Sequence, residues 1–152
     1  MLNQAVSDFE LPATGGHTFR LSAAKGKPLV LYFYPKDSTP GCTTEAQQFR
    51  DLHAEFEAAG CRVVGISRDS LKSHENFKAK QALPFELLSD AEELACGQFD
   101  VLKLKNMYGK QVRGIERSTF VLDAAGVLRR EWRGVKVPGH AQEVLEFVKT
   151  LR

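Results

Sequence analysis

A chain of 152 residues, 43% hydrophobic and 26% charged, has the length and composition of one globular domain, here read as residues 1–152. Twenty-one basic residues against 19 acidic ones leave a net charge of +2, which excludes the strong basic imbalance of a nucleic-acid binder. The longest apolar run, Leu29 to Tyr34, is too short to span a bilayer, and the first residues lack the basic and apolar regions of a secretory leader, so a soluble cytoplasmic protein is expected.

Residues 5 to 21 read as two short extended segments around the turn Thr14-Gly15-Gly16, an N-terminal β-hairpin extension. Pro28 to Tyr34 is continuously apolar and reads as a central strand buried on both faces. Ala46, Phe49, Leu52, Phe56 and Ala59 then recur at helical steps until Gly60. A second buried strand follows over Cys61 to Ser67, then a helix from about Ser70 to Ala82 and a short strand near Phe85 to Leu88. Ser89 and Glu92 have the spacing of a capping box that opens a helix carrying Cys96. Arg117 to Asp123 and Val127 to Trp132 alternate and form a hairpin across Asp123 to Gly126; Arg129, Arg130, Arg133 and Lys136 read as its solvated face. An amphipathic helix from His140 to Leu151 closes the chain. This order predicts an α/β protein with a central mixed β-sheet flanked by helices, which suits a thioredoxin-like fold.

Three cysteines, Cys42, Cys61 and Cys96, without a Cys-x-x-Cys pair fit neither a zinc knuckle nor a dithiol motif, and His17, His53, His74 and His140 show no metal-ligand spacing, so no metal or other cofactor is expected. The informative stretch is Tyr34-Pro-Lys-Asp-Ser-Thr-Pro-Gly-Cys-Thr-Thr-Glu45, where a buried strand hands over to a long helix. Thr39 reads as the N-cap and Pro40 as the first helical residue, which puts Cys42 in the first turn. Unpaired first-turn N–H groups favour an anion, and a thiolate is the nucleophilic form of cysteine.

Pro35, Thr39 and Cys42 form Pro-x-x-x-Thr-x-x-Cys, and in Pro-Lys-Asp-x-Thr-Pro-Gly-Cys-Thr-x-Glu the sequence resembles the peroxiredoxin family, in its bacterioferritin-comigratory or peroxiredoxin Q branch. The resemblance extends through Asn106-Met-Tyr-Gly109 and Glu116-Arg-Ser-Thr-Phe120 to the closing helix. It implies a peroxidase of hydrogen peroxide and organic hydroperoxides in which Cys42 is the attacking cysteine and passes through a sulfenic acid. Thr39 then matches the threonine that contacts the peroxide, Pro35 the proline that shields the sulfur, and Arg117 the arginine beside it. Gly41 and Glu45 belong to the same motif as supports, and Tyr34 is expected as a pocket wall. For Glu45, orientation of Arg117 and ordinary first-turn electrostatics are equally open. Lys36 and Asp37 are expected to shape and solvate the loop, and Trp132 and Tyr108 to be packing residues.

In many members of that branch a resolving cysteine stands five residues after the attacking one, here Gln47; in others it stands at a position aligned with Lys78. Cys61 is separated from Cys42 by a helix about 30 Å long and reads as core. Cys96 reads as a packed helical cysteine and is left open only as the alternative, intramolecular partner. An external thiol, thioredoxin or glutaredoxin with glutathione, is implied as reductant, and the branch suggests a monomer. A disulfide oxidoreductase would need a second thiol near Cys42, and a cysteine hydrolase would need a histidine base beside it. A redox-inert binding or chaperone module on the same fold is the remaining alternative.

Overall fold

The computed structural model describes residues 1–151. In chain order the elements are β1 (Glu10–Ala13), β2 (His17–Arg20), a 3-10 turn (Leu21–Ala24), β3 (Leu29–Phe33), α1 (Pro40–Asp51), α2 (His53–Ala58), β4 (Arg62–Ser67), α3 (Leu71–Gln81), β5 (Glu86–Ser89), α4 (Leu94–Gln98), β6 (Leu102–Met107), β7 (Lys110–Ile115), β8 (Ser118–Leu122), β9 (Leu128–Arg133) and α5 (His140–Lys149). Seven strands form one mixed sheet in the order β2-β1-β5-β4-β3-β8-β9, while β6 and β7 form a separate two-stranded hairpin. At the centre, β3 runs parallel to β4 and antiparallel to β8. The N-terminal hairpin joins this sheet through a single pairing of Ala13 with Leu88.

The apolar run at residues 29–34 works as a double-sided strand because side chains alternate along it. Leu29, Leu31 and Phe33 enter one core with Phe99, Phe120 and Cys96, whereas Val30, Tyr32 and Tyr34 enter a second core with Phe49, Phe56, Phe77, Val144 and Leu145. Residues of α1, α2, α3 and α5 therefore cover one face of the sheet, and α4 with the N-terminal segment covers the other. The ring of Tyr32 stacks on Phe49 with centroids 4.6 Å apart. It lies there because Gly65 of β4 has no side chain: a Cβ would meet Tyr32 Cζ at 2.9 Å and Leu87 Cδ2 at 2.8 Å.

Several local expectations change. The helix expected to run unbroken to residue 59 is interrupted at Leu52 (φ −97°, ψ 2°) and continues as α2. Strand β8 is buried along its whole length rather than alternating, because its side chains enter both cores, Phe120 and Leu122 on one face and Val121 on the other. Ser89 and Glu92 form no capping box. Asp90 caps α4 instead, accepting the backbone N–H of Leu94 (2.8 Å) and of Cys96 (2.7 Å) on its two carboxylate oxygens. The β6–β7 hairpin is absent from the sequence-based expectation; Leu102 to Lys105 alternate, but most residues of the hairpin are exposed and it lies outside the main sheet. Tyr108 at its tip, expected to pack, is fully exposed in a left-handed conformation (φ 54°) that the two-residue turn requires. Trp132 does pack, edge-on against His140 and Phe147. The arginines of β9 are not simply a solvated face: Arg130 lies over the Trp132 ring, and Arg133 lies over Phe120 and donates to the carbonyls of Phe99 and Asp100.

Candidate active site

The site forms where the carboxyl end of β3 meets the first turn of α1, beside the start of β8. Thr39 occupies the N-cap by its backbone (φ −87°, ψ 154°), and its carbonyl accepts the Thr43 N–H at 2.9 Å. Its hydroxyl does not cap the helix; it donates to the Lys36 carbonyl at 2.8 Å and so closes the loop. Pro40 stands at the start of the helix, as expected. Thr39 and Pro35 are both half-buried on the loop, and Cys42 lies just beneath the exposed first-turn residues Pro40 and Gly41, with 2% of its surface accessible.

Its surroundings are not purely apolar, because Arg117 reaches across from the segment that opens β8. Nη2 of Arg117 donates to the Cys42 sulfur at 3.4 Å, and Nη1 donates to Glu45 Oε1 at 2.7 Å. Helix geometry explains the bridge: residues 42 and 45 lie three apart on one face, so one guanidinium spans both. Glu45 is 1% exposed and pairs with Arg117. Burial pushes its carboxyl up to about 7, with the guanidinium pulling against that rise. Burial also opposes the charge on Arg117, but Glu45 and Cys42 outweigh it and hold the guanidinium above its ordinary range. The second oxygen of Glu45 and the hydroxyl of Tyr32 are both buried without a hydrogen-bond partner.

Gly41 supports this arrangement by absence. A Cβ there would come within 3.2 Å of Arg117 Nη2. Gly41→Ala is expected to fold at least as stably, since alanine suits a helix better by up to about 1 kcal/mol. It should nevertheless slow the reaction of Cys42 with peroxide several-fold by pushing the guanidinium off the sulfur. Denaturant midpoints and stopped-flow rates check the two halves separately; an unchanged rate would remove Gly41 from the site.

Tyr34 does not wall the pocket, contrary to expectation. It is buried in the helix-covered core, tilted against Phe77 and His74, and its hydroxyl donates to Asp37 Oδ1 at 2.6 Å, as a buried phenol needs an acceptor. Asp37, expected to be solvated, is buried. Its Oδ2 meets Ser73 Oγ at 2.8 Å and His74 Nδ1 at 2.7 Å, and its N–H donates to Asp69 Oδ2 at 2.9 Å. Asp37, Asp69 and His74 thus lie close enough together to face one cation. Their facing atoms are already engaged by one another and by Ser67, Ser73 and Tyr34, which makes the group a hydrogen-bond network. Residue spacing offered one clue to it: His74 and Phe77 share the buried stripe of α3.

The remaining cysteines are separated from this site. Cys61 precedes β4 at the opposite end of the parallel strands, and burial pushes its thiol up to about 12. Cys96, left open as the alternative partner, does not lie on the Cys42 side of the sheet. It is fully buried in the core on the other face of the sheet, because Asp90 holds its N–H and turns the helix toward Phe99 and Leu88. Burial foremost, and then the adjacent Asp90 carboxylate, push its thiol well up. At the two usual resolving positions, Gln47 donates to Gln81 Oε1 at 2.9 Å, and Lys78 is a half-buried residue of α3.

Comparison with known proteins agrees with this geometry. Residues 2–131 match the model of the AhpC/TSA family. The chain is 55% identical over 148 residues to peroxiredoxin Bcp of Xanthomonas campestris pv. campestris, covering 97% of this chain and 92% of that protein. It is 50% identical over 150 residues to peroxiredoxin Bcp of Bacillus subtilis, covering 99% and 96%. Among solved structures, the X. campestris bacterioferritin comigratory protein, described with an alkyl peroxide reduction activity and a trapped intermediate or ligand complex, superposes with a TM-score of 0.91 at 51% identity, over 97% of this chain and 98% of that one. A cysteine-to-serine mutant of Xylella fastidiosa PrxQ superposes with a TM-score of 0.94 at 44% identity, over 99% and 96%.

Proposed function

This chain belongs to the AhpC/TSA family and is a peroxiredoxin, a peroxidase enzyme, and from that premise we propose that it reduces hydrogen peroxide and organic hydroperoxides by a one-cysteine cycle at Cys42. The observation that carries this reading is the guanidinium of Arg117, held by a buried carboxylate and donating to a sulfur in the first turn of a helix. Positive charge converges on that sulfur from the helix terminus and from the arginine, the condition under which cysteine acts as a thiolate.

In the proposed step the thiolate attacks the near oxygen of the peroxide. A sulfur–oxygen bond forms, the oxygen–oxygen bond breaks, sulfur loses two electrons, and the leaving oxide takes a proton to become water or an alcohol. Arg117 and the first-turn N–H groups are placed to stabilise negative charge as it moves along this path. Thr39 contacts the peroxide, and Pro35 keeps water from the sulfur. The product is the Cys42 sulfenic acid.

An external thiol then attacks that sulfenic acid, forms a mixed disulfide and releases water; a second thiol restores Cys42 and leaves as a disulfide. Thioredoxin, or glutaredoxin with glutathione, supplies these thiols. Support for an external donor is the placement of Cys61 and Cys96, one at the opposite end of the sheet and one across it. We place the enzyme in the cytoplasm as a monomer; among the described residues no helix is long and apolar enough to cross a membrane.

The test is intact-mass measurement under non-reducing conditions after one equivalent of hydrogen peroxide. A single added oxygen on Cys42, trapped by dimedone, is expected, followed by a mixed disulfide when glutathione is added. An internal disulfide between Cys42 and Cys96 as the main product would overturn the one-cysteine cycle.

A further inference from the structure

The loop that carries Pro35 and Thr39 is anchored from beneath by a residue that the peroxidase reading does not use. His74 of α3 is fully buried, with Nε2 2.9 Å from the Leu88 carbonyl and Nδ1 2.7 Å from Asp37 Oδ2. A carbonyl oxygen only accepts, so Nε2 carries a proton. The Asp37 carboxylate receives the Tyr34 hydroxyl on Oδ1 and the Ser73 hydroxyl on Oδ2. A carboxyl group surrounded by donors in this way is anionic, and Nδ1 must then donate as well. Burial pushes the Asp37 carboxyl up, but the hydrogen bonds from His74, Tyr34 and Ser73 outweigh it and hold the group below its ordinary range.

The main chain is tied at the same point. The Asp37 N–H donates to Asp69 Oδ2, which also accepts from Ser67 Oγ at 2.6 Å beyond the end of β4. The next residue, Ser38, stands at φ 62°, a left-handed conformation that a non-glycine residue keeps only where its surroundings hold it. Ser38 is exposed and separates Asp37, anchored on the buried side of the loop, from Thr39, whose hydroxyl closes the loop on the Lys36 carbonyl.

We propose that His74, protonated on both ring nitrogens, is a positioning residue: its ion pair with Asp37 holds the 35–39 loop in the kinked form that sets Pro35 and Thr39 beside the first turn of α1. The inference rests on the Cys42 peroxidase reading and deepens it. Arg117 and Glu45 fix the sulfur from one side, and His74 fixes the peroxide-contacting loop from the other.

Two substitutions separate the ring nitrogens. His74→Asn keeps an amide donor near the place of Nδ1, facing Asp37, whereas His74→Gln places its donor near Nε2 and leaves Asp37 with the Tyr34 and Ser73 hydroxyls but no donor from residue 74. The second-order rate of Cys42 oxidation by hydrogen peroxide is expected to fall on the order of tenfold to a hundredfold in His74→Gln, the size of effect that a displaced positioning group has. His74→Asn should recover part of that loss, since it restores the hydrogen bond to Asp37 without the charge. Alkylation of Cys42 by iodoacetamide, which needs the sulfur but not the loop, should stay unchanged in both. In the wild-type protein, nitrogen-15 NMR of the His74 ring should show a proton on each nitrogen, a measurement that stands even if a variant fails to fold. A ring with one proton, a His74→Gln rate equal to wild type, or alkylation falling in parallel with peroxide reaction would each overturn the positioning role. A wild-type protein whose Cys42 does not react with peroxide would instead overturn the peroxidase reading itself.

Discussion

Cys42→Ser is expected to reduce peroxide turnover with a thiol reductant to the uncatalysed level, a loss of more than about 10⁴-fold given what enzymes ordinarily contribute. Serine fits the same space in the first turn of α1 and can still accept from Arg117. Its hydroxyl is not ionised at any working pH, however, and oxygen cannot take up a peroxide oxygen as sulfur does, so the two-electron step has no donor. The variant should remain folded and should give no dimedone adduct. Cys61→Ser and Cys96→Ser are the matching controls. Each replaces a buried thiol by a hydroxyl and should lose about 1–3 kcal/mol of stability, while the folded fraction keeps its turnover. Peroxide consumption normalised to folded protein checks all three, and undiminished turnover in Cys42→Ser would end the enzymatic reading.

Arg117→Gln has the second largest expected effect, and it acts on rate and stability in different ways. Glutamine can donate one hydrogen bond but carries no charge, so the sulfur loses the cation at 3.4 Å and the leaving oxygen loses its stabiliser. Removal of one such preorganised donor ordinarily costs a factor of about 10² to 10³ in rate, and the reaction of Cys42 with peroxide should fall by that amount. The stability effect comes through Glu45. Burial already pushes that carboxyl up to about 7 while Arg117 pulls it down, so without the guanidinium its titration moves higher still. Over the range from about 4.5 upward, the folded variant then holds a proton that the unfolded chain has released, and stability falls as pH rises. At about pH 5 the variant should lie close to wild type. At about pH 9 it should be weaker by about 3–5 kcal/mol, the cost of a buried charge whose partner has been removed. Urea unfolding at the two pH values measures this, and a deficit independent of pH would show that Glu45 is not governed by Arg117.

The Arg68, Glu93 and Arg113 cluster illustrates the contrast. There Glu93 joins α4 to the β6–β7 hairpin through two arginines near the surface. Exposed ion pairs of this kind contribute little each. The Arg117–Glu45 pair is consequential because one member is out of water and the other touches the reacting atom.

What the sequence determined by itself was whatever depends on local order along the chain. The double-sided run at residues 29–34, the proline at the start of α1, Cys42 in the first turn, the helix beginning near Ser70 and the turn at Asp123 to Gly126 all follow from periodicity and turn chemistry over a few residues. The motif around Cys42 named the family, and through it Arg117, although 75 residues separate the two. Tertiary structure decided the rest, because burial of a polar group is a property of what lies across from it. Nothing near Asp37 in the chain says that Ser73 and His74 will meet it from another helix, nor that Tyr34 will turn its hydroxyl inward. The same holds for Cys96: its helix and its place after a strand were legible, but which face of the sheet it would occupy was set by the Asp90 cap and by packing against Phe99. A strand fixes which of its own residues alternate; only the assembled sheet fixes which two thiols share a side.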